Sequence, residues 1–292
     1  MSNKRRGWKL ESGILEIGKT IRIEKVKVSG IREKKQDIIP EEILLNIFIN
    51  SEKISIISCS PSRIIELVTG YIVSNGYAGN YGEIELIDLC GDAERDGKDD
   101  VTQQSTPFPG IMSARVRISG YSKPGPSDGA IQYLSSGCGN IDPSAILAGI
   151  PGQIDPSCAP VDHRVILELG KKITREQKYK KEFGGLHSAA LFNEEGEMLS
   201  VMEDLGRHNC IDKIFGHMLI NSIAPEDKII FTSGRASMDL VFKVFRMSVP
   251  VVVTNSSVTY NAAEAAQKAG LTLIGYARGK RFNIYSCPER II

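Results

Sequence analysis

The stretch YLSSGCGNIDPS, Tyr133 to Ser144, holds Cys138 between Gly137 and Gly139 in a run with few features of helix or strand. A thiol so placed is a nucleophile, a metal ligand or a small apolar filler. A filler belongs in a periodic apolar run, as Cys90 does in IELIDLC and Cys210 does on a helix; Cys138 lies in none. A metal ligand needs partners such as His187 or His208, yet no CxxC, HxxxH or HExxH spacing occurs. The H-x-E with P-C-x-x-C signature of zinc deaminases is also absent. Bare glycines on both sides suit a thiol that must be approached closely. A nucleophile is the best of the three readings, with a reactivity governed by its thiolate fraction.

Three polar clusters, EDLGRHNCIDK, SGRAS and YARGKRFN, follow expected strands in the second half. Loops that leave the carboxyl ends of parallel strands share one edge of a sheet, and ligands bind there. Arg235, Ser237, Arg278, Lys280 and Arg281 should therefore converge although they are distant in sequence. Helix starts at Asn209 and near Met238 add free backbone N–H groups and positive dipole ends. The planar fork of arginine suits phosphate. Together these features describe an anion site for the phosphates of a nucleotide-like ligand. Blander readings stand beside it. Loop Arg and Lys residues are commonly solvated, and His187 is either a satisfied edge histidine or a ligand contact. His208 and Asp212 form an i,i+4 pair, with Asp212 paired to Lys213 or His208 merely to order the helix start. Glu203 and Asp204 read equally as acids favoured by a helix dipole.

The elements that must position these residues are legible in outline. IRIEKVKV, then ILLNIFIN and ISIISCS separated by SEK, read as strands, the last two as a hairpin. Ser60 and Pro61 read as N-cap and first-turn proline of a helix with Ile64, Ile65, Val68, Tyr71 and Ile72 as its stripe and Gly76 as its end. IELIDLC and IMSARVRIS are further strands, separated by a polar Gly- and Pro-broken loop from Gly91 to Gly110. Gly120 to Asp162 is irregular, with at most a short helix near Ala145 to Leu147. HRVILELGKKITREQKYKKEF reads as one helix that ends at Gly184 and Gly185. HSAALFNEEGEMLSVM reads as a hairpin, and NCIDKIFGHML as a helix with Ile211, Ile214, Phe215, Met218 and Leu219 on one face. KIIFT, PVVVT and LTLIGY then alternate with helices over Met238 to Met247 and Tyr260 to Ala269, which predicts a largely parallel sheet covered by helices. The expected division is a strand-rich part over 1–120, an irregular region over 121–162 and an α/β domain over 163–292.

Composition narrows the classes further. With 36 basic and 35 acidic residues the net charge is +1, which makes no electrostatic case for nucleic acid or an anionic membrane. The basic start lacks an apolar h-region, and no apolar run approaches a membrane span, so a cytoplasmic location is expected. Six scattered cysteines do not resemble a disulfide framework.

At SSGCG, GGLHSAAL, EDLGRHNCIDK, SGRAS and GYARGKRFNIY the chain resembles the formate dehydrogenase accessory protein FdhD, a sulfurtransferase family, over about Ile21 to Cys287. The resemblance implies an α/β fold with a cytidine deaminase-like α-β-α core, no metal of its own, and a homodimer. It implies that Cys138 receives sulfane sulfur from a cysteine desulfurase as a persulfide. The sulfur passes to the molybdenum bis(molybdopterin guanine dinucleotide) cofactor, which the protein binds before insertion into apo-formate dehydrogenase; guanine nucleotides mimic it. The guanine dinucleotide segment maps to Tyr276, Ala277, Arg278, Gly279, Lys280 and Arg281, with His187, Arg207, His208, Ser233, Gly234 and Arg235 as further binding residues. The chain departs from the family where Ile141 stands in place of the second cysteine of a CxxC, where SCSPSR replaces the commoner Thr-Pro form, and where SNGYAG lacks the acidic residue usual after that helix.

Overall fold

Ile-rich runs at the start of the chain fold into strands, as their alternation predicts. In the computed structural model, which describes residues 17–91, 110–121, 153–155, 158 and 160–292, Ile43–Ile49 (β3) and Glu52–Cys59 (β4) form a hairpin. β3 pairs in parallel with Ile111–Ile118 (β6), which pairs antiparallel with Ile84–Gly91 (β5), giving the order β4-β3-β6-β5. Ile43, Leu45, Ile47 and Ile49 all turn inward, the period of two that one buried face requires. Ahead of this sheet, Gly18–Val26 (β1) and Arg32–Pro40 (β2) pair with each other and, among the described residues, with no other strand. β2 carries too many charges to read as a strand; Arg32 and Glu24 pair across the ribbon at 3.2 Å. Cys138, the expected helix near Ala145, and most of the polar run from Gly91 to Gly110 lie outside the described residues.

Among the described residues the α-helices are Ile64–Ser74 (α1), His163–Glu176 (α2), Tyr179–Phe183 (α3), Arg207–Ile220 (α4), Met238–Arg246 (α5) and Tyr260–Lys268 (α6). A second sheet comprises His187–Phe192 (β7), Met198–Asp204 (β8), Ile229–Thr232 (β9), Val251–Thr254 (β10), Thr272–Arg278 (β11) and Arg281–Ser286 (β12), in the order β12-β11-β10-β9-β7-β8. Both of its faces are covered. Ala189, Leu191, Ile230, Val252 and Leu273 join the cluster that contains α1, α4, α5, α6 and the four-stranded sheet. Ala190, Phe192, Ile229, Phe231 and Val253 meet Ile166, Leu169 and Ile173 of α2. Double coverage is why these strands read as unbroken apolar runs.

Three expectations are corrected. The sheet is mixed rather than largely parallel: β9–β10 and β10–β11 are parallel, while β7–β8, β7–β9 and β11–β12 are antiparallel. The cause is a hairpin at each flank, and the second of them hides its last strand behind the basic turn Arg278 to Arg281. The helix expected over 163–183 breaks at Gln177, which is extended. There the Glu203 carboxylate accepts the N–H groups of Lys178, Tyr179 and Lys180 at 2.9, 3.0 and 2.8 Å, so Glu203 serves α3 and not the helix that follows it in sequence. Finally, α1 begins at Ile64 behind Arg63, held at φ 53°, and not at Ser60. The N–H and hydroxyl of Ser60 are already committed to Asp204 Oδ2, at 3.2 and 3.0 Å.

α1 and α4 cross at two glycines. A Cβ on Gly70 would stand 1.8 Å from the Asp212 carbonyl oxygen, and one on Gly216 would stand 1.9 Å from that of Glu66. These obstacles are backbone, so nothing flexible can yield. Gly70→Ala or Gly216→Ala should therefore cost at least about 3 kcal/mol, or leave the chain unfolded. Gly91→Ala, where a Cβ meets nothing within 4 Å, should stay within about 0.5 kcal/mol of the parent; urea unfolding midpoints measure all three.

Candidate functional site

Because β7 runs antiparallel to β9, the start of β7 and the end of β8 lie at the edge where β9, β10 and β11 end. His187 is opposite Asp204, and Ser233 extends the pairing of β9 with β7 through its N–H to Ser188 O at 2.9 Å. The three polar clusters therefore do share one edge. From β9 to β11 it spans two inter-strand spacings, about 10 Å.

At the first end of this edge, α4 leaves β8 through Leu205 and Gly206 and begins with Arg207 and His208. Gly234 allows a close approach: a Cβ there would fall 2.8 Å from Arg207 Cβ. Ser233 is used structurally, since its hydroxyl accepts the Ser188 N–H at 2.9 Å. Gly234 donates to Thr232 Oγ1 at 3.1 Å and accepts from Thr254 Oγ1 at 2.6 Å, so its loop is fixed at both sides. Arg235 is exposed. Burial pushes the His187 imidazole below the usual histidine range, and the positive charges of Lys180 and Arg207 push the same way.

At the far end, Tyr276 is 43% exposed in the left-handed region (φ 51°) and donates its N–H to Ser256 O at 2.9 Å. Arg278 donates Nε to Asn255 O. Gly279, at φ 63°, makes the turn, and Lys280 and Arg281 project from it into solvent. Ala277 is turned away: it is buried beneath α2, on the covered face. The structure thus brings His187, Arg207, His208 and Gly234 together at one end, with Tyr276, Arg278, Gly279, Lys280 and Arg281 grouped at the other.

The acids around α4 are placed differently from either reading of the sequence. Asp212 binds Lys243 Nζ with both oxygens at 2.7 Å, and neither Lys213 nor His208. Lys213 pairs with Asp204 at 2.5 Å, with both side chains fully buried. His208 Nδ1 lies 2.9 Å from Asp239 Oδ2 on α5. Asp239 and the loop Asn255 to Ser257 are functional candidates that sequence reasoning missed. The signals were a Ser-x-Asp directly after SGRA, and the polar triplet NSS at the end of the middle parallel strand. Among the described residues no three His, Cys, Asp or Glu side chains are placed to hold a metal ion, and no helix is long and apolar enough to cross a membrane.

Comparison with known proteins gives a consistent likeness. Residues 40–292 match the FdhD/NarQ family. The sulfur carrier protein FdhD of Sulfolobus acidocaldarius is 31% identical over 276 residues, covering 93% of this chain and 99% of that one. The protein of the same name from Streptomyces avermitilis is 31% identical over 286 residues, covering 95% and 96%. Among solved structures, a candidate formate dehydrogenase accessory protein from Desulfotalea psychrophila superposes with a TM-score of 0.71 at 20% identity, covering 95% of this chain and 100% of that one. This last likeness concerns the fold.

The depressed His187 pKa sets a pH dependence. In the unfolded chain the ring takes up a proton near 6.5, so between that value and the lower folded one the unfolded state binds more protons. The contribution is full above pH 6.5 and is lost as pH falls through the folded pKa. Urea titrations should accordingly show the parent losing stability more steeply than His187→Gln below pH 6.5, with parallel curves above about pH 7.5.

Proposed function

The chain belongs to the FdhD/NarQ family, and on that premise we propose that it is a sulfurtransferase serving formate dehydrogenase. A cysteine desulfurase supplies sulfane sulfur, which Cys138 carries as a persulfide. The acceptor is the molybdenum bis(molybdopterin guanine dinucleotide) cofactor, bound as a substrate by a homodimer in the cytoplasm. What carries the reading is the match over residues 40–292 to relatives named as sulfur carriers. The layered core is read as cytidine deaminase-like, put to a use other than deamination.

The loading step balances with one thiol. The Cys138 thiolate attacks the outer sulfur of the donor persulfide; one S–S bond forms as another breaks, and the donor cysteine departs as a thiolate with the electron pair. No oxidant is consumed and no second loop cysteine is needed, so Ile141 does not block it. Four of the five other thiols are disfavoured. Burial, followed by the charge of Asp204, pushes Cys59 up to about 12. Burial likewise raises Cys158, Cys210 and Cys287.

The strand-end edge then holds the guanine dinucleotide tails. Arg207 and Arg235 flank one end, while Arg278, Lys280 and Arg281 flank the other, a spread suited to phosphates separated along one ligand. Binding energy gathered there orients a reacting centre elsewhere on the same molecule.

Two outcomes are expected. In calorimetry GDP should bind more tightly than ADP, and Arg278→Ala with Arg281→Ala should weaken GDP by on the order of 1.5–3 kcal/mol per lost charge-assisted contact. Equal affinities for the two nucleotides would remove the guanine assignment. Incubation with a cysteine desulfurase and cysteine should add one sulfur to Cys138, read by intact and peptide mass. Cys138→Ser should fold and bind GDP while failing to restore formate dehydrogenase in a strain lacking the protein. Full complementation by Cys138→Ser would replace sulfur transfer by a cofactor-holding chaperone, the reading that Ile141 favours.

A further inference from the structure

Five buried polar atoms without a hydrogen-bond partner fall on four residues around the starts of α4 and α5. They are Arg207 Nε, both ring nitrogens of His208, Ser237 Oγ and Asp239 Oδ2. His208 Nδ1 and Asp239 Oδ2 stand 2.9 Å from each other, which leaves Arg207 Nε, His208 Nε2 and Ser237 Oγ facing no group. Folded proteins leave roughly a tenth or fewer of their buried polar groups in this state, so three in one place indicate a missing partner. Arg207 Nε can only donate, and Ser237 Oγ is free to do so. Gly206 and Ser237, the N-caps of these two helices, make no side-chain cap, so both helix starts keep free N–H groups. Such a set of donors calls for a ligand with several acceptor oxygens.

Asp239 is the exception in that set. It is 8% exposed. Burial pushes its carboxyl pKa up, but His208, Lys243 and Arg207 outweigh burial and hold it below the usual value, so it is ionised. His208 Nδ1 stands 2.9 Å away, out of line for a hydrogen bond; a turn about the broad Cβ–Cγ torsion aligns it. Facing a carboxylate, Nδ1 must carry the hydrogen. In the neutral ring Nε2 is then a bare lone pair, which repels an oxyanion. Only the imidazolium donates from both nitrogens. The other charged groups facing the pair are Arg207 on α4, His187 at the start of β7, and Lys243 on α5 with its partner Asp212; Lys180 on α3 faces His187.

We propose that Asp239 is a positioning residue that makes His208 a proton-linked anion contact: the ring holds the ligand's oxyanion only as imidazolium, so each ligand bound at this edge brings one proton with it. The proposal rests on the anion-site reading above and states how that site responds to pH. It also accounts for a carboxylate in an anion site. With His208 charged the pair is neutral, whereas with His208 neutral it is negative and opposes the ligand.

The test uses GDP-mannose, whose diphosphate diester neither gains nor loses protons near neutral pH. Calorimetry of the full chain at about pH 8, in two buffers of different ionisation enthalpy, counts protons. The parent chain should take up protons on binding, and its Kd should rise with pH wherever that uptake is measured. Asp239→Asn should bind without proton uptake and with a flat pH profile, because an amide can accept or donate and lets the neutral ring carry its hydrogen on Nε2. His208→Gln should be equally flat, and His217→Gln, in the last turn of α4, should keep the uptake. Ring nitrogen chemical shifts of the ligand-free parent give a reading that needs no variant to fold: hydrogen on Nδ1 of His208 is expected, and hydrogen on Nε2 overturns the proposal. Binding without uptake, or uptake that survives Asp239→Asn or vanishes in His217→Gln, also overturns it while leaving the anion site standing. No binding by the parent at any pH removes the anion site itself, and the proposal with it.

Discussion

The placement of Arg207 and His208 depends on the buried carboxylate of Asp204. Its Oδ1 accepts the Gly206 N–H at 2.9 Å and Asn209 Nδ2 at 2.7 Å. Its Oδ2 accepts the Ser60 N–H, the Ser60 hydroxyl and Lys213 Nζ. A fully buried carboxylate with fewer donors would cost several kcal/mol; here its lone-pair directions are filled. The five donors come from the segment after β4, from the turn after β8 and from α4. One anion therefore ties the first sheet to the second at the point where α4 departs, and fixes how the first turn of α4 meets the strand-end edge. Asn209 reinforces this by donating to Ser58 O at 2.8 Å. Lys213, which compensates the charge, reaches the Glu203 carbonyl as well, at 3.2 Å.

The same arrangement shapes the electrostatics of the edge. Glu203, Asp204 and Asp212 all lie close to it and would cancel much of the field of Arg207, Arg235 and Arg278 if left free. Each is instead turned inward and spent: Glu203 on three backbone N–H groups of α3, Asp204 on its five donors, Asp212 on Lys243 and on Ser74 at 2.8 Å. The Asp212–Lys243 pair also locks α4 to α5, so the two helices whose starts flank the proposed anion site keep a fixed relation. The glycine crossing of α1 over α4 completes the support. Helix backbones in van der Waals contact leave no side chain to repack, so the crossing has one depth and one register.

Much of this was legible in sequence where the signal is local. Period two in ILLNIFI, the stripe of α4 and the polar punctuation after each strand of the second half gave the elements and the shared edge. The rest depends on partners far away in sequence. Ser60 is a good N-cap by type, but Asp204, 144 residues on, claims its donors. HRVILELGKKITREQKYKKEF has an unbroken helical composition, and only a carboxylate from β8 explains its break. Lys213 and Asp212 sit on what reads in sequence as a solvated helix face; the face is buried because α1, the segment before it and α5 cover it. Strand direction was misjudged for a related reason. Alternation of strands and helices predicts parallel pairing only where each crossover returns to the same side, and the two flanking hairpins do not.

The mixed sheet is what gives the edge its range of chemistry. In a wholly parallel sheet it would collect strand ends and helix starts, a field of backbone N–H groups and little else. The antiparallel β7 adds a strand start, and with it His187 beside Arg207. The β11–β12 hairpin carries Arg278 to Arg281 about 10 Å to the other side. On the proposed reading this divides labour: the edge grips the charged tail of a long ligand while sulfur is carried on a separate segment. Such a division succeeds only if no thiolate near the grip can intercept the sulfur. Cys59 and Cys210, the two thiols that feel the charge of Asp204, are fully buried and raised in pKa by that burial and that charge. The carboxylate that fixes α4 thus also helps to keep its neighbouring thiols protonated and inert.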